Sequence, residues 1–157
     1  MLRQDAKPAT VLERHPAVLI WPDIFGLRPA FRQMAKRLAQ SGYAVLVVNP
    51  YYRSIKAPVL PEGVDPRAPE NWDKVRAQAM KLSPLTAATD AKALIAFLDA
   101  QKAVYRKRGV GTTGYCMGGP LVMRTAAAVP SRVRAIASFH GGGLATDKPE
   151  SPHLLVP

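Results

Sequence analysis

The cysteine in "GYCMGG", residues 114–119, stands in a pattern that could carry nucleophilic chemistry. Gly114, Cys116 and Gly118 spell G-x-C-x-G, which is typical of a tight strand-to-helix turn that lifts a nucleophile above a sheet. The flanking positions of such a turn must be small because neighbouring backbone crowds them. The chain has one cysteine, so an intramolecular disulfide is excluded, and no Cys or His pair has zinc-like spacing. The thiol is therefore either an inert core group or a nucleophile.

A second interpretation uses some of the same glycines. Gly109, Gly111 and Gly114 spell the G-x-G-x-x-G of a dinucleotide-binding turn. That motif must follow a buried strand and open a helix, because the pyrophosphate binds the amides of the helix N-terminus. Here "YRKR" precedes Gly109, the strand-like run "VGTTGY" contains the glycines itself, and no acidic residue lies about 20 positions further on. The pattern favours the nucleophile turn, and we expect no cofactor or metal.

The elements that must position Cys116 follow from hydrophobic patterning. Short apolar runs predict buried strands, and apolar residues at helical spacing predict helices. Pro29 and the pair Ser83–Pro84 suit the starts of two helices, and Gly42 suits an end. The predicted strands cover residues 17–21, 44–48, 110–115 and 133–139, and the predicted helices cover 29–41, 84–100 and 117–128. This alternation predicts one α/β domain over residues 1–157, with a mostly parallel sheet and helices on both faces.

Composition narrows the classes of partner. The chain of 157 residues is 48% hydrophobic, which suits one domain with its own core. Its net charge of +11 would suit nucleic acid, but the basic residues are scattered and no aromatic series offers a stacking surface for bases. No apolar run reaches membrane-spanning length. We therefore expect a cytoplasmic protein that binds a small molecule and neither nucleic acid nor membrane.

Four segments in matching order resemble the dienelactone hydrolase family (carboxymethylenebutenolidase-like) of the α/β-hydrolase fold. They are "PDIFG" at 22–26, "GYAVLVVNPYYR" at 42–53, "GYCMGG" at 114–119 and "SFHGGG" at 138–143. The resemblance implies that the four predicted strands are central members of an eight-stranded sheet, side by side as second, first, third, fourth. The ligand crevice would then lie between Asp23 and Cys116, where the strand order reverses.

The resemblance also implies a reaction and roles for several residues. A family member of this type cleaves a small lactone or carboxylic ester by attack of a cysteine on the carbonyl carbon, and Cys116 matches that cysteine. The backbone amides of Met117 and Ile24 would form the oxyanion hole. Asp23 stands where the family usually carries a glutamate that contacts the resting cysteine.

Three further residues are candidates for binding substrate. His140 follows the last predicted strand and should face the same rim as Cys116, where it either contacts substrate or bonds to backbone in a glycine-rich turn. Arg53, in the proline-rich loop predicted over 49–69, and Arg76, in the helix after it, are candidates for pairing with a substrate carboxylate.

The acid and the histidine of the family's triad follow later in the fold than this chain extends. The resemblance therefore implies a truncated chain that is weakly active or inactive alone. Strands 44–48 and 133–139 would then have unpaired edges, which promote self-association. The alternatives are a non-catalytic remnant of the fold that binds a ligand, and a basic module that binds nucleotide or nucleic acid.

Overall fold

Four parallel strands form the centre of the protein. The structure is a computed structural model that describes residues 13–155. The strands are β1 (Ala17–Trp21), β2 (Ala44–Val47), β3 (Val110–Tyr115) and β4 (Val133–Phe139). They lie in the order β2-β1-β3-β4, so the predicted order second, first, third, fourth is confirmed. All three neighbouring pairs are parallel, and their carboxyl ends meet at one edge of the sheet.

Four α-helices connect and cover the strands. They are α1 (Pro29–Gln40), α2 (Pro69–Ala79), α3 (Pro84–Ala100) and α4 (Gly118–Ala128), and a short 3-10 helix covers Pro152–Leu155. Ser83 caps α3 as predicted: its hydroxyl accepts a hydrogen bond from the Thr86 amide at 3.1 Å, and the Thr86 hydroxyl accepts one from the Ser83 amide at 2.9 Å. Reciprocal bonds of this kind satisfy two of the amide donors that a helix start leaves free.

The sheet is covered on both faces, because alternate residues of a strand point to opposite sides. Leu19 and Trp21 pack in one cluster with side chains of α3 and α4 such as Ile95 and Val122. Ile20, which points the other way, is also fully buried. On that second face Phe31 of α1 meets Tyr115 edge-to-face, with ring centroids 5.5 Å apart. The predicted two-sided α/β architecture is therefore confirmed.

Helix α2 is the element that hydrophobic patterning did not delimit. The segment "PENWDKVRAQA" is largely polar, and Val75 is its one buried residue. Val75 packs in a small cluster with Tyr51 and Val59, which Phe25 and Met117 also contact. Leu82 packs against both this second cluster and the main core, and Met117 places the second cluster at the carboxyl edge of the sheet.

The two outer strands differ in exposure. All residues of β2 are half-buried, whereas β4 is exposed at every position after Val133. Ile136 of β4 keeps 46% of its surface in water, which is high for a large apolar side chain in a strand. Self-association through these edges stays a prediction. Within residues 13–155 no helix is long and apolar enough to cross a membrane.

Candidate active site

Cys116 lies at a strained turn between β3 and α4. Its φ angle is 52°, in the left-handed region that residues other than glycine rarely occupy. The turn is fixed by two backbone hydrogen bonds: the Cys116 amide donates to the Phe139 carbonyl at 3.0 Å, and the Gly119 amide donates to the Cys116 carbonyl at 3.0 Å. The thiol is free and half-buried. Backbone strain of this kind costs about 1–3 kcal/mol and is concentrated at functional positions.

The glycines around Cys116 allow contacts that no side chain would permit. A Cβ at Gly114 would overlap the backbone of Gly118, and one at Gly118 would overlap the carbonyl of Trp21 at the end of β1. A Cβ at Gly119 would lie 2.7 Å from the Cα of Gly141, beyond the end of β4. The requirement for small flanking residues is thus confirmed. These contacts bring the start of α4 against the ends of both neighbouring strands.

The loop after β1 carries Asp23, and the structure pairs this carboxylate with Arg28. Nη1 and Nη2 of Arg28 each donate to one oxygen of Asp23 at 2.7 Å, and Oδ1 also accepts from the Phe25 amide at 3.0 Å. The predicted contact of Asp23 with the Cys116 thiol is not among the hydrogen bonds of residues 13–155. Both carboxylate oxygens are engaged by a guanidinium in bidentate geometry, the strongest form of this interaction.

Tyr51 links this loop to the residue after Cys116. Its hydroxyl donates to the Ile24 carbonyl at 2.6 Å and lies 3.3 Å from Sδ of Met117. The residue is 2% exposed, and its ring packs against Gly26, where a Cβ would lie 3.2 Å from the ring edge. Burial raises the pKa of Tyr51 above its ordinary value, and the nearby Asp23 and Cys116 raise it further. Tyr51 therefore stays a neutral hydrogen-bond donor at physiological pH.

The amides of Ile24 and Met117 are both free to bind a ligand atom. Within residues 13–155 neither donates a hydrogen bond to the protein. Ile24 is held by the Tyr51 hydroxyl through its carbonyl, and Met117 touches the same hydroxyl through its sulfur. Both residues are half-buried, so their amides lie near the surface without an acceptor from the described part of the protein.

His140 follows β4 at the same edge as Cys116. Strand pairing matches Tyr115 with Phe139, so Cys116 and His140 occupy equivalent positions just beyond two neighbouring strands. Like Cys116, His140 has a left-handed backbone, with φ of 42°, and its side chain is exposed. His15 precedes β1 at the opposite edge of the sheet, and Nδ1 of His153 lies 2.8 Å from the Ser151 hydroxyl. The strand register thus places His140 at the carboxyl edge beside Cys116.

The two arginines predicted to bind substrate lie in different surroundings. Arg53 pairs with the buried Asp90 of α3, which also accepts a hydrogen bond from the Tyr52 hydroxyl at 2.8 Å. The side-chain hydrogen bond to Asp90 raises the pKa of Arg53, so this guanidinium has a structural partner. Arg76 is exposed in the last turn of α2, one residue after the buried Val75. Its role in binding a carboxylate stays a prediction, as does that of Arg53.

No cluster of three or more His, Cys, Asp or Glu side chains that could hold a metal occurs in the described part of the chain. The polar groups at the carboxyl edge are instead a thiol, free amides, a carboxylate paired with a guanidinium, and a neutral phenol. A thiol and free amide donors at one edge of a sheet are groups that acyl transfer uses.

The family model of the "Dienelactone hydrolase family" matches residues 4–157, and the chain belongs to this family. A Synechocystis sp. protein provisionally named a carboxymethylenebutenolidase is 32% identical over 139 residues, covering 88% of this chain and 53% of that protein. The carboxymethylenebutenolidase of Rhodococcus opacus is 28% identical, covering 87% of this chain and 49% of its own. The chain therefore spans about half the length of these curated relatives.

Solved structures show the same fold. A Klebsiella pneumoniae protein provisionally described as a dienelactone hydrolase superposes with a TM-score of 0.68 at 20% identity, covering 93% of this chain and 56% of that one. At that level of identity the likeness concerns the fold alone. It agrees with the α/β-hydrolase fold predicted from the four sequence segments.

Tyr51 and Arg28 belong to the site although their roles could not be predicted from the sequence. Tyr51 lies 27 positions from Ile24 in a proline-rich loop, where no periodicity shows which side chains turn inward. The position of Arg28 gives a weak indication of its pairing with Asp23. It lies five positions after Asp23, just before a helix and within reach of a carboxylate in the same loop.

Proposed function

We propose that the protein that contains this chain hydrolyses a lactone or carboxylic ester, with Cys116 as the nucleophile. The observation that carries the proposal is the left-handed backbone at Cys116. Three neighbouring glycines accompany it, at positions where the surrounding atoms leave no room for a side chain. Keeping such strain in an inert core cysteine would bring no benefit, whereas a nucleophile must be lifted out of the sheet to meet its substrate. Membership of the dienelactone hydrolase family supports the same reaction class.

In this proposal the amides of Ile24 and Met117 stabilise the oxyanion of the tetrahedral intermediate. Both lack a protein acceptor within residues 13–155, and both belong to residues in contact with the Tyr51 hydroxyl. Losing one donor of an oxyanion hole costs roughly 3 kcal/mol of transition-state stabilisation. Tyr51 would act as a positioning residue, because it fixes the loop that presents the Ile24 amide and does not itself touch the reacting atoms.

The thiol also needs a partner to become reactive, since a free thiol is only a few per cent ionised at neutral pH. His140 lies just beyond β4 at the carboxyl edge, is exposed, and forms no hydrogen bond to a carboxylate among the described residues. Loss of a triad member costs about 10⁴–10⁶ in turnover in well-studied hydrolases. We therefore expect residues 1–157 alone to turn over esters weakly or not at all.

Asp23 has a more restricted role in this proposal than the resemblance implies. A carboxylate that gates the thiol must be able to reach it, but Arg28 holds both oxygens of Asp23. We infer that the main role of Asp23 is to stabilise the loop after β1. Any contact of Asp23 with the Cys116 thiol would require the pair with Arg28 to open.

The test is hydrolysis of p-nitrophenyl acetate and of a five-membered lactone by the purified protein and by two variants. Cys116→Ala should abolish the activity, and Cys116→Ser should retain at most a small part of it, because its hydroxyl is a poorer nucleophile without a strong base. Because turnover by residues 1–157 alone is expected to be slow, the quantity compared is the first burst of p-nitrophenol, which reports acylation of the protein; equal bursts for the protein and Cys116→Ala would contradict the proposal. Circular dichroism of each variant separates loss of chemistry from loss of fold.

A further inference from the structure

The peptide group that carries the free Ile24 amide is held through its carbonyl. Because a peptide group is planar, the carbonyl of Asp23 sets the direction of the Ile24 N–H on the other side of the same bond. That carbonyl accepts a hydrogen bond from the Gly26 amide at 2.9 Å, and Oδ1 of Asp23 accepts one from the Phe25 amide at 3.0 Å. Asp23 therefore encloses Ile24 in a turn with both its main chain and its side chain.

The side chain of Asp23 is fixed in turn by Arg28. Nη1 and Nη2 of Arg28 bind the two carboxylate oxygens at 2.7 Å each, and the Asp23 side chain keeps only 17% of its surface exposed. A bidentate pair sets the plane of the carboxylate as well as its position, which a single hydrogen bond does not. The orientation of the turn around Ile24 thus depends on where the guanidinium lies.

Helix α1 and the core hold the guanidinium in place. Arg28 stands at the N-cap position of α1, where its carbonyl accepts a hydrogen bond from the Phe31 amide at 3.1 Å. The guanidinium lies over the ring of Phe31, 4.9 Å from the centroid, and over that of Phe25 at 5.7 Å. Phe31 is 3% exposed, so one of the two aromatic faces belongs to the core. A chain of contacts therefore runs from the core through Arg28 and Asp23 to the Ile24 amide.

We propose that Arg28 is a positioning residue for the oxyanion hole, which orients the Ile24 amide through Asp23. Tyr51 holds the same residue from the other side, because its hydroxyl binds the Ile24 carbonyl at 2.6 Å. The two peptide groups that flank the Ile24 side chain are then fixed by two different elements, α1 and the proline-rich loop. The inference rests on the proposed function, since an oxyanion hole has meaning only where an oxyanion forms.

The test compares two reactions of the Cys116 thiol in the wild-type protein and in Arg28→Gln. The first burst of p-nitrophenol from p-nitrophenyl acetate reports acylation through an oxyanion, whereas iodoacetamide reports alkylation without one. Both rates scale with the ionised fraction of the thiol, so their ratio is independent of that fraction. Arg28→Gln should lower the ratio of acylation to alkylation about tenfold, since misplacing a catalytic group by about 1 Å costs up to about a hundredfold.

A second variant shows whether Arg28 acts through Asp23. Asp23→Asn keeps an oxygen that accepts from the Phe25 amide but loses the charge that binds the guanidinium, so it should lower the ratio by a similar factor. The double variant Arg28→Gln/Asp23→Asn should be no slower than either single variant, because both changes break the same pair. Arg132→Gln is the matched control: it breaks the bidentate pair with Asp99, bonded at 2.9 and 2.7 Å, and should leave the ratio unchanged.

Three results would overturn the inference: an unchanged ratio in Arg28→Gln, single effects that multiply in the double variant, or an equal loss in Arg132→Gln. Each of them leaves the Cys116-dependent burst of the wild type, and hence the proposed function, intact. A wild-type burst no larger than that of Cys116→Ala would instead refute the proposed function and this role of Arg28 with it. Circular dichroism checks the fold of each variant, and if Arg28→Gln does not fold, Asp23→Asn decides the question because it breaks the same pair.

Discussion

Replacing Tyr51 with Phe tests whether the two free amides act together as an oxyanion hole. The substitution removes one oxygen atom and keeps the ring that packs against Gly26. It deletes the 2.6 Å hydrogen bond to the Ile24 carbonyl and the contact at 3.3 Å with Met117. The loop after β1 loses the tie that orients the Ile24 amide, while Cys116 and its glycines are unchanged.

The size of the effect follows from the bond that is lost. A hydrogen bond of this kind contributes about 1 kcal/mol net to stability, so the fold should persist with a modest loss. A complete oxyanion-hole donor contributes roughly 3 kcal/mol to the transition state. Tyr51 positions a donor and is not one itself, so we expect the loss of about half that value, or about tenfold in the rate of acyl transfer.

Two reactions of the same thiol separate positioning from general damage. Acylation of Cys116 by p-nitrophenyl acetate passes through an oxyanion, whereas alkylation by iodoacetamide is a direct displacement that forms none. The first burst of p-nitrophenol reports acylation even where later turnover is slow. Tyr51→Phe should slow acylation about tenfold and leave alkylation within about twofold of the wild-type rate.

The outcome that refutes this reasoning is equal slowing of both reactions, which would mean that the substitution changes the exposure or ionisation of the thiol. Unchanged acylation would equally exclude a positioning role for Tyr51. Tyr52→Phe is the matched control, because it also removes one hydroxyl but acts on the bond to Asp90, away from the loop of Ile24.

Two further predictions concern stability. Gly118→Ala places a methyl group against the carbonyl of Trp21 and should lower the free energy of unfolding in urea by about 1–3 kcal/mol, whereas Gly142→Ala meets open space and should change it little. An equal effect of both substitutions would show that a methyl group at position 118 does not clash with the carbonyl of Trp21. Because the pKa of Tyr51 is raised in the folded state, the unfolded chain loses its phenolic proton first as the pH rises. Stability should therefore fall above about pH 10, by up to about 1.4 kcal/mol per pH unit, and fall less in Tyr51→Phe; identical pH profiles would contradict this.

The strands could be predicted from the sequence because they are short, continuous apolar runs, as buried parallel strands must be. Predicted and observed limits agree at 17–21, 110–115 and 133–139, and β2 ends one residue earlier than predicted. The limits of α2 could not be predicted from the sequence. A helix that buries only one side chain, Val75, has almost no periodic pattern of apolar residues. The strand order came from the resemblance, since local patterning does not say which strands are neighbours.

The site shows the same division between local and long-range information. The turn at Cys116 could be predicted because its glycines and its position after a strand are local features. The pair of Asp23 with Arg28 and the tie from Tyr51 to Ile24 depend on how two loops fold over the sheet edge. From its side-chain type alone, Arg53 is expected to be available to a ligand. In the structure it forms an ion pair with Asp90, which lies 37 positions away in a helix.

The most direct test of the central claim is to locate the acyl group after brief exposure of the protein to p-nitrophenyl acetate. We predict that peptide mass spectrometry finds one acetyl group on Cys116, formed faster in the folded protein than in the same protein unfolded in urea. The unfolded chain is the control because it has the same thiol without the turn or the free amides. An acetyl group on another residue, or equal rates in the folded and unfolded protein, would contradict the role of Cys116 as a nucleophile activated by its fold.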